Sequence, residues 1–566
     1  MKGERARGSG RMAAVAIAAV GMLGVGFTTL ALHVAVLARD ALAQAKTAAP
    51  ASPTLWFYCS TNLLVDENVA KLEELFARAG KAGYARVLLA DSKFSRLGAM
   101  EARYFKNVER TKAAAKKSGL EIVPAVFPLG YSEGLLSHDP NLAEALPVKD
   151  EPFVVKGGVA RITTPPPSLT TIAWRDATFF DEAGGWRARD AKGNARVVWK
   201  LRLAPFRQYH VSVAVATKEF DGEVRVQALV GERSLIYSDL GVKKTQEKAV
   251  HHAVFNTMEF EEVSLYVGAW GASRGELWVG DVKFEEAPLL NVVRRDGAPL
   301  EIRKEESGQP GPLLTEGKEF EKVADPKMGC VPWPGAYEIW HEPPPLRVKV
   351  PDGTRLRVSY FHAITTGTGQ VMVCPSEKKT VELLRDEARR IQKAFGNKAW
   401  FMSHDEIRVL NQDESCKRRR IDAGRILSSN VIDCLSILRQ LDPKAEILVW
   451  SDMFDPNHNA RQDYYLVRGD LKDSWAGIDG GVTVANWNFE QRDASLAFFA
   501  GRGHKQLIAG YYDQPATPNG ALPALDAWLA SAKSVRNVDA VMYTTWQAKY
   551  DDLEKFAERV RASAGK

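Results

Sequence analysis

AWFMSHDE, running from Ala399 to Glu406, is an apolar run of strand length that ends on two adjacent carboxylates, Asp405 and Glu406. The polar segment NQDES (411–415) follows, so the run reads as a buried strand stopping at a loop. The same grammar recurs on both sides of it. Downstream lie EILVW (446–450), VTVANW (482–487), QLIAGYYD (506–513) and AVMYTTW (540–546), with helical periodicity between them. Upstream lie LWFYCS (55–60), ARVLLAD (85–91) and EIVPAVF (121–127), separated by an amphipathic run from Val65 and a Lys/Ala-rich run ending near Gly119. Near-continuous apolar strands alternating with helices imply a parallel sheet buried on both faces. Eight of them predict an α/β fold, a (β/α)8 TIM barrel in which AWFM is the fourth strand.

The barrel pattern is interrupted. From about Val148 to Arg357 the sequence loses its helical periodicity, and between Ala195 and Ala287 it reads as short alternating strands such as YHVSVAVAT, GEVRVQALVG, EEVSLYVGAW and GELWVGDVKF. This predicts a β-sandwich inserted after the third strand, either a carbohydrate-binding module or a spacer shaping one pocket wall. Its tryptophans (Trp174, Trp186, Trp199, Trp270, Trp278) are read as core rather than as a binding surface. The domain reading is then 46–147 for the first part of the barrel, 148–357 for the insertion and 358–566 for the remainder.

At 566 residues the chain is long enough for two or three such units. Its hydrophobic fraction of 45% and charged fraction of 26% are those of a globular protein. Half of the net charge of +6 sits in residues 1–45, so the body is close to neutral and has no nucleic-acid signature. Those first residues carry Lys2, Arg5, Arg7 and Arg11 ahead of a run from Met12 to Ala38 without acids, lysines or arginines, and then Ala43-Gln44-Ala45. They read as a signal peptide cleaved after Ala45, or as a signal anchor in which residues 12–38 span the membrane. Either places the remainder outside the cytoplasm, whether periplasmic, extracellular or anchored facing outward. The five cysteines form neither a disulfide framework nor a C-x-x-C pair, so no metal and no cofactor are expected.

In a barrel the C-terminal strand ends converge on one face. The end residues here include Asp405 and Glu406, with His404, Asp452 and Asp513 as further polar groups and Trp450, Trp487, Tyr511 and Trp546 as aromatics. Two carboxylates in contact repel, so one tends to keep its proton while the other stays ionised, as acid/base chemistry near neutral pH requires. Indole faces pack on the C–H faces of sugars while carboxylates bond their hydroxyls. A carbohydrate substrate follows.

The order of these motifs resembles that of the glycoside hydrolase family 20 β-N-acetylhexosaminidases, over about Leu55 to Gly130 and Val371 to Trp546. The resemblance implies Glu406 as general acid/base and Asp405 as the residue that orients the substrate's 2-acetamido group. It also implies Tyr511 as hydrogen-bond donor to the acetamido carbonyl, Asp513 as a ligand for sugar hydroxyls, and Trp450, Trp487 and Trp546 as the indoles enclosing the sugar. His404 and Asp452 complete the candidate substrate-binding set. The implied reaction is retaining and substrate-assisted: the acetamido oxygen attacks the anomeric carbon and gives a cyclic oxazolinium. The chain departs from the pattern at Cys59-Ser60-Thr61-Asn62, where the family carries a sugar-gripping arginine, and at Ala548, where a glutamate is usual. Two other readings stay open here: a conventional pair of Glu406 with Asp452 or Asp513, and a non-catalytic glycan-binding barrel.

Overall fold

Successive side chains of a barrel strand alternate between its interior and the surrounding helices, and both faces of this barrel are apolar. The computed structural model describes residues 53–564, except 368, 513–516, 518, 519 and 521. The segment read as a signal peptide or anchor, 1–45, lies outside the described residues, as does Asp513. Among the described residues no helix is long and apolar enough to cross a membrane.

Eight parallel strands close the barrel in chain order. They are β1 (Thr54–Ser60), β2 (Arg86–Ala90), β3 (Glu121–Val126), β4 (Ala399–Met402), β5 (Glu446–Trp450), β6 (Val482–Asn486), β7 (Gln506–Tyr512) and β8 (Val538–Thr544). Leu55 of β1 aligns with Val541 of β8, which shuts the ring. Inside it Trp56, Leu88, Val123, Phe401, Leu448, Leu507 and Met542 pack together. The alternate residues, among them Phe57, Val87, Trp400 and Val449, pack outward under the helices.

The helices form for reasons legible in their sequences. The first, α1 (Asp66–Lys81), has acids in its first turn and bases in its last, and buries Val69, Leu72, Leu75, Phe76 and Ala79 along one stripe. Similar stripes dock α2 (Ala102–Lys117), α3 (Lys378–Phe395) and α4 (Ala423–Leu441).

Between β3 and α3 the chain is mainly antiparallel β structure in two further sheets. In the seven-stranded sheet, Leu146–Lys156 at the start of the insertion pairs with Arg355–His362 at its end. The eight-stranded sheet is built on two long strands, Gln208–Val230 and Glu262–Glu286. The sequence reading divides each into two short strands, whereas the structure runs each straight through. The division does mark a real change of neighbours. The first half of Gln208–Val230 pairs with Gln246–Asn256 and the second with Arg233–Asp239, with register shifts near Asp221 between them. Trp199 is buried and meets Trp186 edge-on at 5.7 Å, as its core reading requires, whereas Trp174 is 38% exposed and is not core. Thr54–Val560 clusters as one compact unit, so the insertion is not set apart from the barrel.

One irregularity in the barrel matters for the site. Ile508 aligns with Val541 but Tyr511 aligns with Tyr543, so β7 spends one more residue than β8 around Ala509-Gly510. A one-residue bulge reverses the facing of everything after it. A Cβ on Gly510 would sit 2.1 Å from Nε1 of the buried Trp528, so only glycine fits this approach. Gly510→Ala is expected to destabilise the fold by roughly 1–3 kcal/mol, read as a lower melting temperature.

Candidate functional site

The C-terminal strand ends open into a cavity of about 690 Å³. Alternation decides most of its lining. Tyr58 and Ser60 from β1, Ala90 from β2, Ser403 and Asp405 beyond β4, Trp450 from β5, Trp487 beyond β6 and Trp546 beyond β8 occupy interior positions and line it. His404 has the opposite parity. Its ring is fully buried toward α4, with Nε2 3.1 Å from Asn430 Oδ1, and burial lowers its pKa to about 4. It is a neutral core histidine and not a substrate ligand, contrary to the sequence expectation.

By the same parity Glu406 should also face outward. It does not, because β4 ends at Met402 and Glu406 adopts a left-handed φ of 48° that swings its side chain back beside Asp405. Such a conformation in a non-glycine residue costs of the order of 1–3 kcal/mol and persists only where the surroundings enforce it. Here Glu406 N–H donates to Asp452 Oδ2 at 2.8 Å and Gln370 Nε2 donates to the Glu406 carbonyl at 3.2 Å. Gly130, in the loop after β3, lies so close that a Cβ there would fall 1.9 Å from the Asp405 carbonyl oxygen.

Asp452 therefore belongs beneath the site. Its buried carboxylate also accepts from Asn459 Nδ2 at 3.0 Å and from Trp487 Nε1 at 3.4 Å. Burial foremost, with the Glu406 charge adding and its N–H opposing, places its pKa at about 7. It positions Glu406 and Trp487 and does not reach substrate, which corrects its assignment as a substrate ligand and removes it as the second carboxylate of a conventional pair.

Glu406 is held at its tip by two residues that no sequence motif marks. Arg408 Nη2 lies 2.7 Å from Oε1, and the hydroxyl of Tyr131, on the loop after β3, donates to Oε2. Arg408 is itself packed over the Tyr465 ring at 5.1 Å and bonded to Gln370. Burial, followed by the charges of Asp452 and Glu406, pushes Asp405 well above the usual carboxylate range. Of the two carboxyls, Asp405 is thus the one whose surroundings favour the protonated form, beside a Glu406 bonded to Arg408.

The aromatic wall is continuous. Trp546, 53% exposed at the rim, meets Tyr58 edge-on at 5.0 Å and Trp450 at 6.0 Å, and Trp450 in turn packs on Phe401 at 4.7 Å. Tyr511 is not part of it. Beyond the bulge its ring turns outward against Tyr543 and Phe556 of the terminal helix (Leu553–Ala564), which corrects its reading as a donor to the acetamido carbonyl. The signal available in the sequence is Gly510, a glycine inside a strand.

A further carboxyl, that of Glu387 on α3, lines the same cavity. Its Oε1 accepts from Ser95 Oγ and Phe127 N–H, each at 3.3 Å, and burial pushes its pKa up to about 8.

No protein-family model matches the sequence, and no curated protein matches it. Among solved structures, a β-N-acetylhexosaminidase is similar over 91% of this chain and 75% of its own, at 8% identity and a TM-score of 0.40. A rhamnosidase from Novosphingobium sp. PP1Y is similar over 91% of this chain and 59% of its own, at 12% identity and a TM-score of 0.34. A CBM4 structure is similar over 20% of this chain and 77% of its own, at 10% identity and a TM-score of 0.17.

Glu387 yields a stability test. A carboxyl whose folded pKa is raised to about 8 from 4.5 contributes stability that is full below the unfolded value and is lost as pH rises through the folded one. Glu387→Gln, uncharged at every pH, should gain in melting temperature relative to the parent between pH 5 and pH 8. A difference that stays flat across that range would show that Glu387 is ionised when folded.

Proposed function

We propose that this chain is an exported glycoside hydrolase that cleaves β-linked N-acetylhexosaminides by the retaining, substrate-assisted route. The observation that carries the reading is the placing of Asp405 and Glu406 on one face of a cavity walled by Tyr58, Trp450, Trp487 and Trp546. Adjacent acids point the same way only because the backbone turns left-handed between them, and the indoles offer apolar faces for a pyranose. Export rests on residues 1–45, and the mass of the mature N-terminus tests it.

In this mechanism the acetamido oxygen forms a bond to the anomeric carbon as the glycosidic C–O bond breaks. Glu406 gives its proton to the departing oxygen, and its carboxylate then takes a proton from the water that opens the oxazolinium. Asp405, ionised at that moment, faces the acetamido N–H and stabilises the cation. In the free site the surroundings of Asp405 favour its protonated form. An acetamide N–H docked on Asp405 favours its charged form and moves that proton to Glu406.

The ion pair with Arg408 favours a second reading. With Glu406 held ionised and Asp405 protonated, Asp405 acts as the acid and Glu406 as the base or nucleophile. Two measurements separate them. Under substrate assistance an N-trifluoroacetyl substrate reacts far more slowly than its N-acetyl parent, and Glu406→Gln loses roughly 10²–10⁴-fold on substrates with poor leaving groups. Under exchanged roles the N-acyl group has little effect, and the leaving-group dependence appears in Asp405→Asn instead. Turnover of no hexosaminide by the parent, with tight binding of an oxazoline mimic, would make the barrel a binding protein.

Arg408 gives an independent check. Removing a cation beside a carboxyl raises that carboxyl's pKa. Arg408→Met removes the cation bonded to Glu406 Oε1 and is expected to change the pH dependence of kcat/KM; an unchanged profile would show that Arg408 does not act on the reacting pair.

A further inference from the structure

Far from one another in sequence, Glu144, Cys374, Asp413 and Cys416 are brought together by the fold and are all buried. Glu144 lies just ahead of the insertion and Cys374 just after it. There the chain pairs with itself: Ala143 bridges Val373, Glu144 N–H donates to the Met372 carbonyl at 2.8 Å, and Cys374 N–H donates to the Leu142 carbonyl at 2.8 Å. Asp413 and Cys416 belong to the loop that leads away from Glu406, on the one-turn helix Glu414–Lys417 and its cap. One donor atom from each of the four residues lies within 4.8 Å of all the others.

We propose that this quartet is a structural zinc site. The distances fit the chemistry. Zinc–sulfur and zinc–oxygen bonds of about 2.3 and 2.0 Å in a tetrahedron set two sulfurs about 3.8 Å apart, and a sulfur and an oxygen about 3.5 Å apart. Here the Cys374 and Cys416 sulfurs are 3.6 Å apart, and Cys416 Sγ is 3.3 Å from Glu144 Oε2. A disulfide requires the sulfurs at about 2.05 Å, and it would leave two buried carboxylates facing a neutral bridge. Hydrogen bonding alone also serves the group poorly, because a thiol is a weak donor for the carboxylate oxygen it meets.

The charges favour a cation as well. Arg295 is the guanidinium at this cluster, and it is divided between Asp413 Oδ2 at 2.6 Å and Glu377 Oε1 at 2.7 Å. The other Glu144 oxygen accepts from Gln412 N–H at 2.7 Å and Asp413 N–H at 3.3 Å, which fixes the carboxylate with Oε2 toward the sulfurs. Mixed thiolate and carboxylate donors in a closed, dry pocket suit Zn²⁺ rather than Mg²⁺ or Ca²⁺, which take oxygen alone. The ion would fasten the start and end of the insertion to the loop that carries Glu406 and Arg408.

The test is metal content and cobalt spectroscopy on the full chain, purified under reducing conditions and then supplied with Zn²⁺ or Co²⁺. About one zinc per chain should survive gel filtration, and the cobalt form should show thiolate-to-metal charge transfer with visible bands of tetrahedral intensity. Cys374→Ser and Cys416→Ser should each weaken the charge-transfer band and the double variant should lose it, and Glu144→Gln should lower the zinc retained after gel filtration. Two results would overturn the proposal. One is a folded, reduced parent chain that retains no zinc and gives no charge-transfer band; the other is a Cys374–Cys416 disulfide in the isolated protein, found by mass spectrometry with no metal bound.

Discussion

A strand sends neighbouring side chains to opposite faces, yet a site that needs two adjacent carboxylates must defeat that rule at one residue. Glu406 does so by turning left-handed, and much of the surrounding structure is arranged to hold it there. Asp452 takes its N–H, Gln370 takes its carbonyl, and Gly130 leaves room for the Asp405 peptide. Asp452 is itself fixed by Asn459 and Trp487, so the indole wall and the acid pair share one buried carboxylate. Hydrogen bonds to charged groups contribute about 1.5–3 kcal/mol each, enough to offset the strain of one such residue.

The same crowding sets the electrostatics. Asp452 is fully buried and Asp405 half-buried on the cavity wall, and Arg408 is the cation bonded to Glu406. Desolvation is the largest influence at Asp405 and favours its protonated form. Whether the reaction uses that proton directly or first moves it to Glu406 is a matter of what the substrate presents to Asp405.

The sequence displays the barrel strands because each is apolar on both faces and bounded by helices of clear periodicity, and the cavity side of β4, β5, β6 and β8 follows from alternation alone. Alternation from Phe401 also sends His404 outward, as observed. What sequence hides is anything set by a single displaced residue or by distant chain. The bulge at Ala509-Gly510 turns Tyr511 away from the site. Arg408 and Tyr131 look like ordinary loop residues until the fold brings both to Glu406. The long strands Gln208–Val230 and Glu262–Glu286 read as four because their periodicity breaks where the register shifts. Glu144 and Cys374 become neighbours only because the insertion returns to where it began.

That return bears on how the barrel is assembled. Val126 of β3 lies beside Met402 of β4, so the ring cannot close there until the whole insertion has been made. Joining two strand ends across a flexible loop of that length costs about 5 kcal/mol in chain entropy. An insertion that folds first, with Leu146–Lys156 against Arg355–His362 and Ala143 against Val373, delivers the ends already side by side. Synthesis from the N-terminus therefore completes the insertion before β4 exists, and the seam between β3 and β4 is the last part of the first four strands that can be made.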